Sequence, residues 1–447
     1  MIDPLVSPLL TDLYQFTMLQ GYLERGMDET AVFEFSVRKL PKERSFLVSA
    51  GLESVIAFLE QLKFSAEELA YLTASGRFSR RLIDYLATMR FTGDIHALPE
   101  GTIFFQDEPV IRITAPLCQA QFIETRVINL LQQQILFASK AARCVLAAGG
   151  RAQLVDFGVR RAHGAEAGLT AARSSYLAGF IGTSTVLAET LYGIPIFGTM
   201  AHSFIEAHAD EREAFIHFAL ANPENVTLLI DTYDTLRGAR KAVESAHELR
   251  NRGIAVKAVR LDSGDILTLS REVRKILDEG GFPGIRIFAS GNLDEYAIEE
   301  LLSRGAPIDG FGVGTKLDTS DDAPYLECAY KLMEYAGRAR MKRSAGKVTW
   351  PGRKQVFRRY ADGVMAEDLL GLDGEEGGGS PLIEKVAAGG KRIAPPRRLP
   401  ELAAAAAGEL KRLPPYLRKL HPGEPYPVRI SPTIMRLKEQ VEAQLGN

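Results

Sequence analysis

The chain is poor in cysteine. Cys118, Cys144 and Cys328 are scattered through 447 residues, and none belongs to a C-x-x-C pair. A count so sparse and odd suits a reducing compartment and offers no disulfide framework and no zinc site. Charge of one sign is not in excess either, since 54 Lys and Arg stand against 56 Asp and Glu for a net charge of −2. That balance argues against general binding of nucleic acid or a membrane surface. No apolar run approaches the roughly 20 residues of a membrane helix. The first residues, with Asp3 and Pro4, lack the basic-then-apolar pattern of a signal peptide. The expectation is a cytoplasmic protein whose partners are small molecules. What is present is an ordinary globular composition, 46% hydrophobic and 25% charged, long enough for two or three domains.

The chain changes texture twice. Leu9–Tyr22 reads as an apolar helix, broken near Gly21 and Gly26, with Thr11 and Asp12 placed to cap it. Thr30–Arg38 alternates as a strand, Ser49–Leu62 reads as a helix, and Ser65 with Glu68 forms a capping box for another. From Gly93 to Thr114 three period-two segments separated by turns predict antiparallel sheet. Leu117–Ala148 reads as one long helix stopped by Gly149 and Gly150. After Arg151, apolar runs alternate with amphipathic helices. The runs are Gln153–Phe157, Ile194–Phe197, Val226–Ile230, Ile254–Leu261, Ile285–Phe288 and Ile308–Val313. Repeated βα units predict a parallel sheet closed into an irregular or incomplete barrel, with an open doubly wound sheet as the alternative. Beyond Arg338 the chain is basic and turn-rich. Gly371–Ser380 has the composition of a flexible linker, and Ile434–Leu445 reads as a terminal helix. The tail is expected to return over the N-terminal sheet.

Polar clusters fall where the buried strands end, the place where α/β folds bind ligands. VRLDSGD, Val259–Asp265, puts Arg260, Asp262, Ser263 and Asp265 between a strand and the helical pattern Ile266–Glu279. Ser263 or Asp262 is equally suited to cap that helix. DFGVRRAHG, Asp156–Gly164, holds Arg160 and Arg161, a pair suited to a carboxylate or phosphate or to surface ion pairing. GTMAH, Gly198–His202, offers Thr199 and a histidine that is either structural or a phosphoryl acceptor. Ser290 and Gly291 form a turn where phosphate can meet free N–H groups. GFGVGT, Gly310–Thr315, spaces Gly312 and Gly314 as a phosphate cradle. No Walker lysine pattern or Rossmann fingerprint is complete, and no strand end offers a convincing Schiff-base lysine for an aldolase. Taken together, cationic and backbone anion binders surround carboxylates, an arrangement suited to a phosphorylated sugar with its hydroxyls, a metal ion or both.

Leu10–Gln20 (LTDLYQFTMLQ), DFGVRRAHG, GTMAHSF, VRLDSGD and Phe311–Thr315 (FGVGT) occur in this order between about residues 7 and 335. In combination they resemble nicotinate phosphoribosyltransferase. The resemblance implies an α/β fold: an irregular (β/α) barrel of the type II phosphoribosyltransferase kind plus an N-terminal α+β domain. Residues 1–125 would form that domain, 126–345 the barrel with the phosphoribosyl site, and 346–447 the returning segment. It implies transfer of phosphoribosyl from phosphoribosyl pyrophosphate to nicotinate, coupled to ATP hydrolysis and assisted by Mg²⁺, in a homodimer with shared active sites. His202 would be the phosphohistidine, and Arg260, Asp262 and Asp265 the ribose and pyrophosphate edge. Tyr14 would stack on the pyridine ring, reaching the neighbouring subunit's pocket. Arg160 and Arg161 would hold the nicotinate carboxylate or a phosphate, with Thr199 on the substrate side. Ser290, Gly291, Gly312 and Gly314 would cradle the 5′-phosphate. Ser184 stands where nicotinamide-using relatives are expected to carry aspartate; serine avoids repelling a carboxylate, which favours nicotinate. No magnesium ligand is assigned, and the tail has no cysteine cluster for a structural zinc. The rival readings are nicotinamide phosphoribosyltransferase and a non-catalytic phosphoribosyl pyrophosphate sensor.

Overall fold

The computed structural model describes residues 5–344 and 349–445. The chain divides into two compact units, Met1–Leu136 with Tyr325–Asn447, and Phe137–Pro324. Among the described residues, no helix is long and apolar enough to cross a membrane.

The first unit is built on antiparallel sheet. Thr30–Val37 pairs with Pro109–Pro116 on one side and Cys328–Tyr335 on the other. Asp94–Ala97 and then the late strand Glu384–Ala388 extend the sheet. The segment Ile103–Phe104 leaves this sheet and pairs with Leu47–Val48. A second hairpin, Lys354–Ala361 with Val364–Leu372, turns through Asp362 and Gly363, both at positive φ as a two-residue hairpin loop demands. The first helix runs Leu13–Glu24, straight through Gly21 rather than breaking there. The glycine-rich stretch after Leu372 is no linker. Glu375 accepts from the Leu372 N–H and from the hydroxyls of Ser431 and Thr433. A β-carbon at Gly377 would lie 2.0 Å from the Phe357 ring. These glycines are thin so that a ring can lie on the backbone, a demand composition alone does not reveal.

The long apolar stretch splits into Leu117–Phe122 and Glu124–Ala148. The second unit follows. Its sheet has six parallel strands in the order Gly182–Thr183, Gln153–Asp156, Gly310–Val313, Arg286–Ala289, Val256–Leu261, Val226–Leu229. Ile194–Phe197, expected as a strand, makes one parallel bridge, Thr183 with Ile196. The two-residue strand Gly182–Thr183 takes the place of that run in the sheet. The same segment reaches the opposite edge: the Thr199 hydroxyl donates to the Thr227 carbonyl at 2.6 Å, and the Asn225 amide to the Gly198 carbonyl at 3.2 Å. The ring therefore closes through one irregular segment held by side chains on one flank, the irregular barrel expected from the βα rhythm. Gly182 is required there, because a β-carbon would lie 2.3 Å from the Pro195 carbonyl oxygen.

Candidate functional site

Parallel strands send their C-terminal ends to one rim, so the polar clusters separated in sequence share one edge of the second unit. Asp262 is the hub. Arg260, at the end of the Val256–Leu261 strand, approaches its Oδ1 at 3.5 Å while donating to the Met200 carbonyl at 3.2 Å. The Ser290 hydroxyl donates to the same Oδ1 at 2.5 Å. His202 Nε2 lies 4.0 Å from Asp262 Oδ2, and its Nδ1 is 3.1 Å from the Thr232 hydroxyl. The Asp262 N–H and the Ser263 hydroxyl both donate to Asp231 Oδ2, at 2.9 and 2.6 Å.

The electrostatics follow from this packing. Burial pulls the Arg260 guanidinium below its ordinary pKa; Asp262 and Asp231 oppose that shift and the like charge of Arg160 adds to it. Arg260 Nε is buried without a hydrogen-bond partner, and so is Asp231 Oδ1. A buried unpaired cationic donor and a buried unpaired carboxylate oxygen on one rim are the mark of a polar ligand site.

The other expected residues divide into two groups. Arg160 and Arg161 lie exposed on the 3-10 turn Val159–Arg161, directly after the Gln153–Asp156 strand. Ser184 follows the neighbouring strand, its N–H donating to the Asp156 carbonyl at 2.8 Å, and its hydroxyl meets no protein partner among the described residues. These three can face a ligand. Asp265, Thr199, Gly291, Gly312 and Gly314 have structural work. Asp265 is the N-cap of the Ile266–Glu279 helix, and its carboxylate accepts both the Thr268 N–H and hydroxyl. The cap that Asp262 or Ser263 was a candidate for thus belongs to Asp265. The Thr199 hydroxyl closes the barrel seam. Gly312 lets the Phe157 ring pack, since a β-carbon would lie 2.4 Å from it, and Gly314 lies against the Phe157 carbonyl. Gly291, at φ +93°, lets its turn touch the Asp262 carbonyl, 2.0 Å from where a β-carbon would be. Lys316 is held by Asp294 at 2.5 Å. Tyr14 belongs to the first unit, half exposed, its hydroxyl donating to Glu124 at 3.3 Å.

Asp231 and Thr232 escaped the reading of the sequence. The signal was there: an aspartate immediately follows the buried run Val226–Ile230, as Asp262 follows Ile254–Leu261. Phe157 was also passed over; its ring, tilted on Phe288 at 5.7 Å, is an aromatic surface at the base of the arginine turn. No group of three or more His, Cys, Asp or Glu able to hold a metal occurs among the described residues.

Two family models match the chain: the nicotinate phosphoribosyltransferase N-terminal domain over residues 9–132, and the nicotinate phosphoribosyltransferase family over residues 152–347. A nicotinate phosphoribosyltransferase of Mycobacterium tuberculosis is 50% identical over 434 residues, covering 96% of this chain and 93% of its own. One from Bacillus subtilis is 42% identical over 358 residues, covering 78% and 72%. Among solved structures, human nicotinic acid phosphoribosyltransferase superposes with a TM-score of 0.87 at 29% identity, covering 97% of this chain and 99% of that one.

Proposed function

The chain belongs to the nicotinate phosphoribosyltransferase family, and from that premise we propose how the rim of its parallel sheet performs the family's reaction. The enzyme transfers phosphoribosyl from phosphoribosyl pyrophosphate to nicotinate, yielding nicotinate mononucleotide and pyrophosphate in NAD salvage. The C1′–oxygen bond to pyrophosphate breaks and a bond from C1′ to the pyridine nitrogen forms. The observation that carries the division of roles is the cluster of Arg260, Asp262, His202 and Asp231 on one rim.

Asp262, steered by Arg260 and Ser290, stands beside the ribose and stabilises the positive charge that develops as the C1′ bond loosens. Arg160 and Arg161 hold the nicotinate carboxylate, and Ser184 leaves that carboxylate unopposed where an aspartate would repel it. Holding the ring in line with C1′ supplies much of the rate. Tyr14 and Phe157 are the aromatic faces offered to the pyridine. The residues also fit a magnesium ion. Asp231 Oδ1 is a buried carboxylate oxygen with no donor, and such ions commonly take one or two protein carboxylates with substrate phosphates completing the shell. When bound there, the metal would neutralise the departing pyrophosphate. ATP is the further co-substrate. In the tautomer whose Nδ1 donates to the Thr232 hydroxyl, His202 has its Nε2 lone pair free on the Asp262 side and takes the phosphoryl group there. We place the active enzyme in the cytoplasm as a homodimer with Tyr14 crossing to the partner. Exposed Leu10, Leu13 and Tyr14 in the first unit, and Val186, Leu187 and Leu191 in the second, supply apolar surface for such a contact.

Pyrophosphate release should be measured with nicotinate or nicotinamide, each with and without ATP. Release with nicotinate and not nicotinamide, stimulated by ATP, is expected. Equal use of nicotinamide would remove the role of Ser184, and an ATP-indifferent rate would remove that of His202.

A further inference from the structure

We propose that Asp318 is a positioning residue for nicotinate: a neutral carboxylic acid that ties the arginine turn to the neighbouring rim loops. It ends the short helix Thr315–Asp318 after the Gly310–Val313 strand and is fully buried. Neither of its oxygens meets an N–H or O–H donor among the described residues. What faces it is the carboxyl of Asp156, also fully buried. Asp156 has donors of its own: Oδ1 accepts the Gly158 N–H at 2.8 Å and Oδ2 the Thr183 hydroxyl at 2.6 Å.

Two carboxyls buried together cannot both be charged. Asp156 already receives two hydrogen bonds, which favour its anion. The proton therefore belongs to Asp318, which donates it to Asp156. Burial, and then the charge of Asp156, push the Asp318 carboxyl up to about 10, so the proton stays through the neutral range. Gly158 makes the arrangement possible: a β-carbon there would lie 2.1 Å from the Asp318 carboxyl carbon. One shared proton thus joins three loops. It holds the turn carrying Arg160 and Arg161 through Gly158, the loop carrying Ser184 through Thr183, and the Gly314 turn through Asp318 itself.

The inference rests on reading Arg160, Arg161 and Ser184 as the nicotinate side of the site. Asp318→Ala should raise KM for nicotinate on the order of tenfold or more and leave KM for phosphoribosyl pyrophosphate nearly unchanged. Asp318→Asn keeps a neutral group with an N–H to offer Asp156 and should restore most of the loss. Should Asp318→Ala fail to fold, Gly158→Ala, which displaces the carboxyl from the other side, should show the same nicotinate-selective rise. Equal rises in both KM values, or Asn behaving as badly as Ala, would overturn the proposal. Arg160→Ala and Arg161→Ala both leaving KM for nicotinate unchanged would overturn its premise instead, and the two failures are distinct.

Discussion

The two oxygens of Asp231 have different surroundings. Oδ2 holds the Asp262 loop and Oδ1 is left buried and unpaired. Asp231→Asn weakens both tasks, and kcat should fall on the order of a hundredfold, as when one preorganised charge partner is lost. A parallel magnesium titration should need a higher metal concentration to saturate; unchanged saturation would take the metal away from this side chain. His202→Ala should abolish ATP stimulation and leave a slow ATP-independent transfer, read from initial rates with and without ATP. Asp318 makes a prediction about pH. Its folded pKa is raised to about 10, whereas a free aspartate titrates near ~3.9. The unfolded chain gives up this proton first as pH rises, so the group's contribution is full below the unfolded value and shrinks as pH climbs toward the folded one. Asp318→Asn removes the titration. Its urea midpoint should therefore gain on the wild type between about pH 5 and about pH 9, and a constant difference would contradict the shared proton.

Among the elements, a helix cap and a proposed catalytic residue lie within one short motif. Asp262, directly after the Val256–Leu261 strand, contacts Arg260 and Ser290 on the rim, and three residues later Asp265 caps the next helix. Both are aspartates of one short motif, and only their backbone positions separate the jobs. Asp265→Ala should lower Tm slightly and leave kcat near wild type, whereas Asp262→Asn should keep Tm and lose kcat; differential scanning calorimetry beside rate assays separates them. Gly291 joins two such elements. Alanine there meets both a positive φ and the Asp262 carbonyl, a strain of about 1–3 kcal/mol. Because relief must come from moving the Asp262 loop, the loss should appear in kcat as well as in denaturant midpoint.

At the scale of the molecule, the proposed sharing of active sites between two subunits has a direct test. If Tyr14 completes the partner's pocket, Tyr14→Ala and Asp262→Asn damage different halves of one site. Mixing the two weak variants under conditions that exchange subunits should restore part of the activity, since one site of each mixed dimer is intact. No recovery, with mixed dimers demonstrated, would confine each site to one chain. Much of this organisation was legible beforehand. The βα rhythm after Arg151 located five of the six parallel strands, and the helix Ile266–Glu279 has the bounds its apolar pattern predicts. The Gly182–Thr183 strand was not visible, because two residues carry no period, and Ile194–Phe197 looked like a strand because a seam is as apolar as one.

Local pattern and motif chemistry determined the class of fold and marked the strand ends worth examining, because periodicity and residue type are properties of short stretches. Tertiary structure alone decided which aspartate caps a helix, which glycines make room for a neighbouring ring, and that Asp156 and Asp318, far apart in the chain, share a proton. Those depend on atoms from distant segments meeting within a few ångströms, and no window of sequence contains both partners.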